Sequence, residues 1–222
     1  MKLLKLVDLT LLKSHASKED LVTLTKEALK YEVAGICVHP QHVKLIKKNL
    51  PKKTTLKIVT VIGFPYGAQS LKIKKLELKQ AIKDGIDEAD MVINGFQVKE
   101  KQWGSILKEI KSLKKILKKK VLKVIIETSQ LSNEDISKLS QICVKAKADY
   151  VKTSTGVNGE GAKVEHIKLI KEVVGNSAKI KASGGVRDLA SFKALVEAGA
   201  DRVGTSAINY LLNDKEVNRE DY

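Results

Sequence analysis

The sequence predicts a single α/β domain with the fold of a (β/α)8, or TIM, barrel. Eight short apolar segments recur along the 222 residues, and longer amphipathic stretches separate them, which is the pattern of repeated strand–helix units. Several segments, such as Ile58–Ile62, are β-branched and nearly continuously apolar, as expected for parallel strands buried on both faces. Polar residues fall late in most segments. This favours a barrel over an open doubly wound sheet, because barrel enzymes place their chemistry at the carboxyl ends of strands.

The eight segments are expected to form the barrel strands in chain order. Because no linker or low-complexity block divides the chain, we expect one domain over residues 1–222, with the polar residues 213–222 as a mobile tail. The predicted strands are Leu6–Leu11, Ala34–His39, Leu56–Phe64, Glu88–Asn94, Leu122–Thr128, Asp149–Thr155, Lys179–Gly184 and Asp201–Ser206.

The stretches between the strands carry helical signals. Ser17 with Asp20, and Ser132 with Asp135, have the spacing of helix-start caps. The segment Trp103–Lys119 carries an apolar stripe at the helical period. These features predict helices on the outside of the strands.

The charge of the chain indicates a solvated surface rather than a nucleic-acid interface. The formal net charge is +15, and the only arginines are Arg187, Arg202 and Arg219, so the positive charge is mostly lysine spread along helices. Nucleic-acid binders usually concentrate their basic residues and use arginine for bidentate contacts. A lysine-rich nucleic-acid-binding protein is therefore the less favoured interpretation, and a gel shift with steep salt dependence would support it. The charge would instead draw an anionic substrate toward the protein.

Cysteine and histidine usage predicts neither a disulfide framework nor a metal site. Cys37 and Cys143 are far apart, as is usual in a reducing compartment, and the four histidines lack metal-binding spacing. We therefore expect no metal and no cofactor.

No apolar segment reaches the roughly 20 residues of a membrane span, and the N-terminus lacks the apolar core of a signal peptide. The expected location is the cytoplasm, with no membrane partner.

Lys152 and Lys181 stand out among the lysines of the predicted strands, because lysine is rarely buried unless it is paired. Lys152 lies in Ala-Asp-Tyr-Val-Lys-Thr-Ser-Thr-Gly, and Lys181 lies in Ala-Lys-Ile-Lys-Ala-Ser-Gly-Gly. The two strands are consecutive, so they are expected to be neighbours about 4.8 Å apart, and both lysines can then project into one site. The alternative is that one or both reach the surface from strand ends.

Two carboxylates occupy similar positions in other strands. Asp90 precedes the apolar Met-Val-Ile, and an aspartate inside such a segment suggests a charged partner, which would be an interior lysine. Glu127 ends Val-Ile-Ile-Glu. For Glu127, a structural partnership with a site lysine and a direct catalytic role are equally consistent with the sequence.

Glycines end three of the last strands. They are Gly156, the pair Gly184-Gly185, and Gly204, which precedes Thr205-Ser206. Glycines allow backbone N–H groups to approach an anion, and the positive end of a following helix adds to the attraction. Barrels often bind phosphate with the loops after strands seven and eight, so we expect a phosphate site there.

These motifs together resemble the deoxyribose-phosphate aldolase family over nearly the whole chain, and the two lysine motifs are the most specific part of the resemblance. The resemblance implies a (β/α)8 barrel that needs no metal and reversibly cleaves 2-deoxy-D-ribose 5-phosphate to D-glyceraldehyde 3-phosphate and acetaldehyde. The matching segments are Asp8-Leu-Thr-Leu-Leu, Gly35-Ile-Cys-Val-His-Pro, Gly63-Phe-Pro-Tyr-Gly, Asp87-Glu-Ala-Asp-Met-Val-Ile-Asn, Val124-Ile-Ile-Glu-Thr, Lys152-Thr-Ser-Thr-Gly, Lys181-Ala-Ser-Gly-Gly-Val-Arg and Gly204-Thr-Ser.

The resemblance also implies roles for particular residues. Lys152 would form the Schiff base, Lys181 would be the second site lysine, and Asp90 would handle protons. Asp8 and Thr10 match the motif of the first strand. The positions that match phosphate loops are Gly156, Gly184, Gly185, Arg187, Gly204 and Ser206.

The mechanism expected from the resemblance needs an uncharged Lys152, since a protonated lysine, with an ordinary pKa of about 10.4, is a poor nucleophile. Burial and the like charge of Lys181 would both disfavour the ammonium form.

Two other functions are also consistent with the sequence: another Schiff-base aldolase that acts on a different phosphorylated sugar, and a phosphate-binding barrel without activity. The expected partner is a small phosphorylated sugar, and a homodimer is one hypothesis for the assembly.

The last residue, Tyr222, is a lone aromatic side chain on a polar tail, and some members of the resembled family also end in tyrosine. Our hypothesis is that the phenol reaches the barrel mouth and helps to protonate the enamine carbon. Alternatively, the ring is incidental or packs on a neighbouring helix.

If the phenol does protonate the enamine carbon, a chain that ends at Asp221 should incorporate solvent deuterium into acetaldehyde more slowly, while its substrate affinity is little changed. Equal exchange rates in the two chains would exclude the role.

Metal independence is a separate prediction. Because an iminium ion already withdraws electrons from the bond that breaks, no metal is needed for that purpose. Activity should survive prolonged treatment with a chelator, measured as release of glyceraldehyde 3-phosphate from deoxyribose 5-phosphate. Loss of activity that a divalent metal restores would contradict this.

Overall fold

Eight parallel strands close into a barrel in the order of the chain. The computed structural model describes residues 3–206 together with Ile208 and Leu211. Each strand pairs with its neighbours in sequence, and β1 also pairs with β8, which closes the sheet. The strands are β1 Val7–Leu11, β2 Gly35–Val38, β3 Lys57–Ile62, β4 Glu88–Val92, β5 Val121–Ile125, β6 Tyr150–Lys152, β7 Lys179–Ser183 and β8 Arg202–Thr205.

The prediction of a TIM barrel is confirmed, and each of the eight predicted segments contains or overlaps a strand. Every observed strand is shorter than its predicted segment. In β6, for example, the pairing ends at Lys152, whereas the predicted segment runs on to Thr155. The residues beyond the strand end therefore belong to the loop that carries the candidate site.

Helices lie between the strands, on the outside of the barrel, and begin where the caps predicted them. Ser17 forms the capping box with Asp20 at the start of α1, and the Ser132 side chain accepts a hydrogen bond from the Asp135 N–H at the start of α6. One short helix, α4, was not predicted; Asn94 caps it. The helices are α1 Lys18–Lys30, α2 Val43–Asn49, α3 Leu71–Asp84, α4 Gly95–Lys99, α5 Trp103–Leu117, α6 Asn133–Lys145, α7 Val164–Val174 and α8 Leu189–Glu197.

The apolar core lies between the barrel wall and the helices. Ile36, Leu78, Ile110 and Val203 are among its fully buried members. Each such side chain contributes about 1.5–3 kcal/mol by leaving water. This apolar layer stabilises a barrel whose interior, in contrast, holds several charged side chains.

Two glycines make room for those interior charges. A Cβ at Gly35 in β2 would lie 2.7 Å from Oδ1 of Asp8, and a Cβ at Gly204 in β8 would lie 3.3 Å from Cε of Lys181. Both distances are shorter than ordinary van der Waals contact. Small residues on the inner face of the wall are therefore needed where a neighbouring strand turns a charged side chain inward.

Several expectations fall outside the described residues. They concern Tyr222 and the tail 213–222. Among the residues that are described, no helix combines the length and the apolar character that a bilayer crossing requires.

Candidate active site

The two interior lysines lie side by side, as the sequence predicted. Lys152 ends β6 and pairs directly with Lys181 of β7 in the parallel register. Both side chains are buried inside the barrel, with Lys181 fully enclosed and Lys152 3% exposed. The alternative that they reach the outer surface is therefore wrong. Their juxtaposition follows from strand alternation, because paired residues in adjacent strands point to the same face.

Asp90 of β4 connects the two lysines. Its Oδ2 accepts hydrogen bonds from Nζ of Lys152 at 2.8 Å and from Nζ of Lys181 at 2.7 Å. Its Oδ1 accepts a third bond, at 2.8 Å, from Nζ of Lys123 in β5. One fully buried carboxylate thus holds three lysine side chains, and the prediction that Asp90 has an interior lysine as its partner is confirmed.

The ion pairs continue below Asp90, toward the amino ends of the strands. Asp8 of β1 accepts from Lys181 through Oδ2 at 2.5 Å and from Arg202 of β8 through Oδ1 at 2.7 Å. Glu88 of β4 lies 2.6 Å from Nζ of Lys123 and also accepts from Arg202 at 3.0 Å. We call these residues the barrel network: Asp8, Glu88, Asp90, Lys123, Lys152, Lys181 and Arg202.

Three members of the barrel network were missed by the sequence reasoning. Lys123 lies in Val-Leu-Lys-Val-Ile, and Glu88 lies two residues before Asp90 on the same face of β4, so both carried the signal that singled out Lys152. Arg202 opens β8 and gave no comparable signal, because a charged residue at the start of a strand is usually solvated.

The two lysines differ in their acid–base behaviour. Burial lowers the pKa of Lys152, and the charge of Lys181 lowers it further against the opposing attraction of Asp90. Burial also disfavours the ammonium of Lys181, but Asp8 and Asp90 outweigh it and raise the pKa of Lys181 above its ordinary value. Lys181 therefore stays protonated while Lys152 can lose its proton. The like charge contributes as expected, although burial is the larger cause.

Asp90 is ionised in this setting. Burial alone would raise the pKa of its carboxyl group, but the ammonium groups of Lys123, Lys152 and Lys181 hold that pKa well below its usual range. A carboxylate can only accept a proton, so Asp90 would act first as a base and afterwards as an acid.

Glu127 lies near Lys152, but its hydrogen bonds go to Thr155 rather than to either lysine. It follows β5 with a left-handed backbone (φ 60°) and accepts hydrogen bonds from N–H and Oγ1 of Thr155, the latter at 2.6 Å. Burial raises the pKa of its carboxyl group. Its contacts tie the loop after β6 to the end of β5. Thr10, the other supporting residue of the motif at β1, donates from Oγ1 to the carbonyl of Asp8 at 2.9 Å.

The glycines of the expected phosphate site bring two loops into contact. A Cβ at Gly184 would lie 3.0 Å from Cα of Gly156 and 2.9 Å from Cα of Gly161, so the loops after β6 and β7 touch at backbone level. Gly156, Gly184 and Gly185 all have positive φ (82°, 84° and 71°), which glycine adopts at little cost. The loops can approach this closely only because these side chains are absent.

The remaining positions of the phosphate prediction belong to β8 and to the segments after β7 and β8. Arg187 is half-buried in the segment before α8, and Ser206 is exposed directly after β8. Gly204, in contrast, lies within β8 rather than in a loop. At the start of α8, the Asp188 side chain accepts from Ser191 N–H at 2.7 Å, so a carboxylate already caps the positive end of that helix. The loop backbone, rather than α8, is the available source of N–H groups.

No cluster that could hold a metal ion is present among residues 3–206, Ile208 and Leu211: no three or more His, Cys, Asp or Glu side chains converge in that way. The acidic members of the barrel network are each bonded to cationic side chains.

Comparison with known proteins agrees with this geometry. The model of the DeoC/LacD family aldolases matches residues 2–215. A deoxyribose-phosphate aldolase from Finegoldia magna is 46% identical over 93% of this chain and 97% of its own length, and one from Clostridioides difficile is 45% identical over 97% of each chain. The solved structure of an aldolase designated QR15 superposes with a TM-score of 0.91 at 35% identity, over 96% of this chain and 95% of that one. The chain belongs to the DeoC/LacD aldolase family.

Proposed function

We propose that the protein is a deoxyribose-phosphate aldolase, a lyase that reversibly cleaves 2-deoxy-D-ribose 5-phosphate to D-glyceraldehyde 3-phosphate and acetaldehyde through a Schiff base on Lys152. The observation that carries the proposal is the pair of adjacent buried lysines that share one carboxylate, in surroundings that lower the pKa of Lys152 and raise that of Lys181. The names of the relatives from Finegoldia magna and Clostridioides difficile support the choice of substrate.

Lys152 is the nucleophile in this proposal because, among the lysines that the structure describes, it is the one that combines a lowered pKa with a position at the open end of the barrel. The uncharged amine adds to the aldehyde carbon of the sugar, and the carbinolamine loses water to give an iminium ion. Asp90, 2.8 Å from Nζ, receives the proton that leaves the nitrogen and returns one to the departing hydroxyl group.

The iminium ion then acts as the electron sink. The bond between carbons two and three breaks, its electron pair moves toward the nitrogen, and the carboxylate of Asp90 accepts the proton of the hydroxyl on carbon three as glyceraldehyde 3-phosphate forms. Protonation of the enamine at carbon two and addition of water release acetaldehyde and restore the amine of Lys152. Atoms and charge balance over the cycle, with no redox step.

Lys181 is assigned a different role from Lys152. It is fully enclosed and bonded to both Asp8 and Asp90, which keep it protonated. A permanent ammonium cannot attack a carbonyl, but it disfavours a second positive charge on Lys152 and holds Asp90 in place. The two roles follow from the two sets of neighbours.

The phosphate group is assigned to the glycine contact between the loops after β6 and β7. Side chains are absent there at Gly156, Gly184 and Gly185, and Arg187 and Ser206 follow the ends of β7 and β8 in the chain. A phosphate held at this distance from the reacting bond contributes binding energy that positions the aldehyde at Lys152.

Location and assembly remain proposals. We infer a cytoplasmic enzyme, which the two buried free thiols, Cys37 and Cys143, support. A homodimer is the assembly that we propose, and sedimentation of the purified chain tests it, since a monomeric mass would refute it.

Trapping of the Schiff base tests the proposed nucleophile. Borohydride added with deoxyribose 5-phosphate should reduce the iminium and label Lys152, because this lysine combines a lowered pKa with a position at the open end of the barrel. Peptide mapping by mass spectrometry locates the label. A label on a different lysine would refute the assignment, and absence of any label would refute the Schiff-base reaction itself.

Replacement of Lys181 tests the division of roles. Lys181→Leu removes the ammonium next to Lys152, so the pKa of Lys152 should rise and the acid limb of the kcat/KM profile should move to higher pH. For each pH unit by which the limb moves, the rate at neutral pH should fall about tenfold, and activity should recover in alkali. A circular dichroism spectrum serves as the control for folding. Equal loss at every pH would argue that Lys181 has another task.

A further inference from the structure

Lys123 is a buried lysine that the proposed reaction does not use. Its side chain is fully enclosed in the barrel, and its Nζ lies 2.6 Å from Glu88, 2.8 Å from Asp90 and 3.9 Å from Asp8. Its ammonium is bonded to Glu88 and to the oxygen of Asp90 that Lys152 does not use, so the proposed reaction gives it no contact with the sugar. Its place among three carboxylates nevertheless makes it part of the charge balance around the nucleophile.

The barrel network contains four cationic side chains and three carboxylates. With every group ionised, one positive charge is left over in a region shielded from water, where net charge is expensive. The network is balanced when one cation gives up its proton. Arg202 cannot do so, since a guanidinium stays charged in proteins.

The contacts select Lys152 as the cation that loses its proton. Lys181 is bonded to two carboxylates, Asp8 and Asp90, and Lys123 is bonded to two, Glu88 and Asp90. Lys152 is bonded to Asp90 alone, through an oxygen that it shares with Lys181. The least compensated ammonium is therefore the one at the open end of the barrel.

The other ionisable groups around Lys152 form no ion pair with the barrel network in the described part of the chain. Cys37 of β2 is buried, and burial raises the pKa of its thiol, so it stays uncharged. Burial likewise raises the pKa of Glu127, which is bonded to Thr155. Tyr150 of β6 lies below Lys152, with its ring 5.8 Å from Nζ of Lys123, and the only ionisable residue of β3, Lys57, is exposed.

We propose that Lys123 is a positioning residue that makes the uncharged amine of Lys152 the balanced state of the barrel network. Without Lys123, three cations would face three carboxylates, and balance would then require a protonated Lys152. The proposal deepens the assigned function and rests on it, because it concerns the nucleophile of that reaction.

The same count of charges predicts that a change at Glu88 has the opposite effect on the protonation of Lys152. Glu88 contacts Lys123 and Arg202 at the far side of Asp90 from the nucleophile. Glu88→Gln leaves four cations and two carboxylates, so a protonated Lys152 becomes still less favourable. In the double variant Lys123→Met/Glu88→Gln, three cations face two carboxylates, which restores the surplus of one positive charge.

The pH dependence of adduct formation on Lys152 tests the proposal. The full-length protein is incubated with acetaldehyde, which has no titratable group, and with cyanoborohydride, and the initial rate of labelling at Lys152 is followed by mass spectrometry. Lys123→Met should move the midpoint of the plot of labelling rate against pH to higher pH by about one pH unit or more. The rate near neutrality should then fall at least about tenfold and recover in alkali. Glu88→Gln should move it to lower pH, and the double variant should return toward the wild-type midpoint.

Two control variants separate charge from packing. Lys123→Arg keeps the charge and should keep the midpoint, whatever its rate. Lys74 is an equally enclosed lysine, paired with Glu109 at 2.9 Å outside the barrel network, so Lys74→Met should leave the midpoint unchanged.

Several results would overturn the proposal. One is a Lys123→Met variant that is folded but keeps the wild-type midpoint, or that loses the same factor at every pH. If that variant does not fold, Glu88→Gln decides, since an unchanged or alkaline midpoint in this variant contradicts the charge count. Failure of the underlying function looks different, because the wild-type protein would then form no adduct on Lys152 at any pH.

Discussion

The structure depends on one buried carboxylate that holds three lysines. Asp90 accepts hydrogen bonds from Lys123, Lys152 and Lys181, and an isolated charge of either sign at its depth would be strongly unfavourable. The apolar layer between barrel and helices provides the stability that allows the interior to hold these charges. Gly35 and Gly204 leave the space in the wall that Asp8 and Lys181 occupy. Packing and electrostatics are thus arranged around the same group.

The barrel gives chemically identical residues different roles. Lys152 and Lys181 are paired in register and share one oxygen of Asp90, yet burial lowers the pKa of Lys152 while added carboxylate contacts raise that of Lys181. The difference comes from position along the strands: Lys181 points into the ion pairs near Asp8, whereas Lys152 ends its strand at the loop that Glu127 and Thr155 fasten. A nucleophile and a fixed charge can therefore lie next to each other without exchanging roles.

The strands and the central residues of the site could be predicted from sequence because their signals are local. A lysine or aspartate inside an apolar segment marks an inward charge, which identified Lys152, Lys181 and Asp90. The partnership of Glu88 with Arg202 joins residues 114 positions apart in the chain, and only barrel closure brings them together. Gly204 was assigned to a phosphate loop because Thr-Ser follows it, although the ladder with β1 extends through it. Non-local register, which no short segment reveals, accounts for both differences.

In this arrangement Lys152 should lose its proton before any other lysine in its surroundings. Titration of the protein labelled with ¹³C at lysine Cε, followed by nuclear magnetic resonance, measures this directly, and the resonance that disappears in Lys152→Arg identifies the nucleophile. This resonance should titrate below those of the surface lysines, whose ordinary pKa is about 10.4, while the resonances of Lys123 and Lys181 should titrate above them. A Lys152 resonance that titrates together with the surface lysines, or above them, would contradict this order of deprotonation.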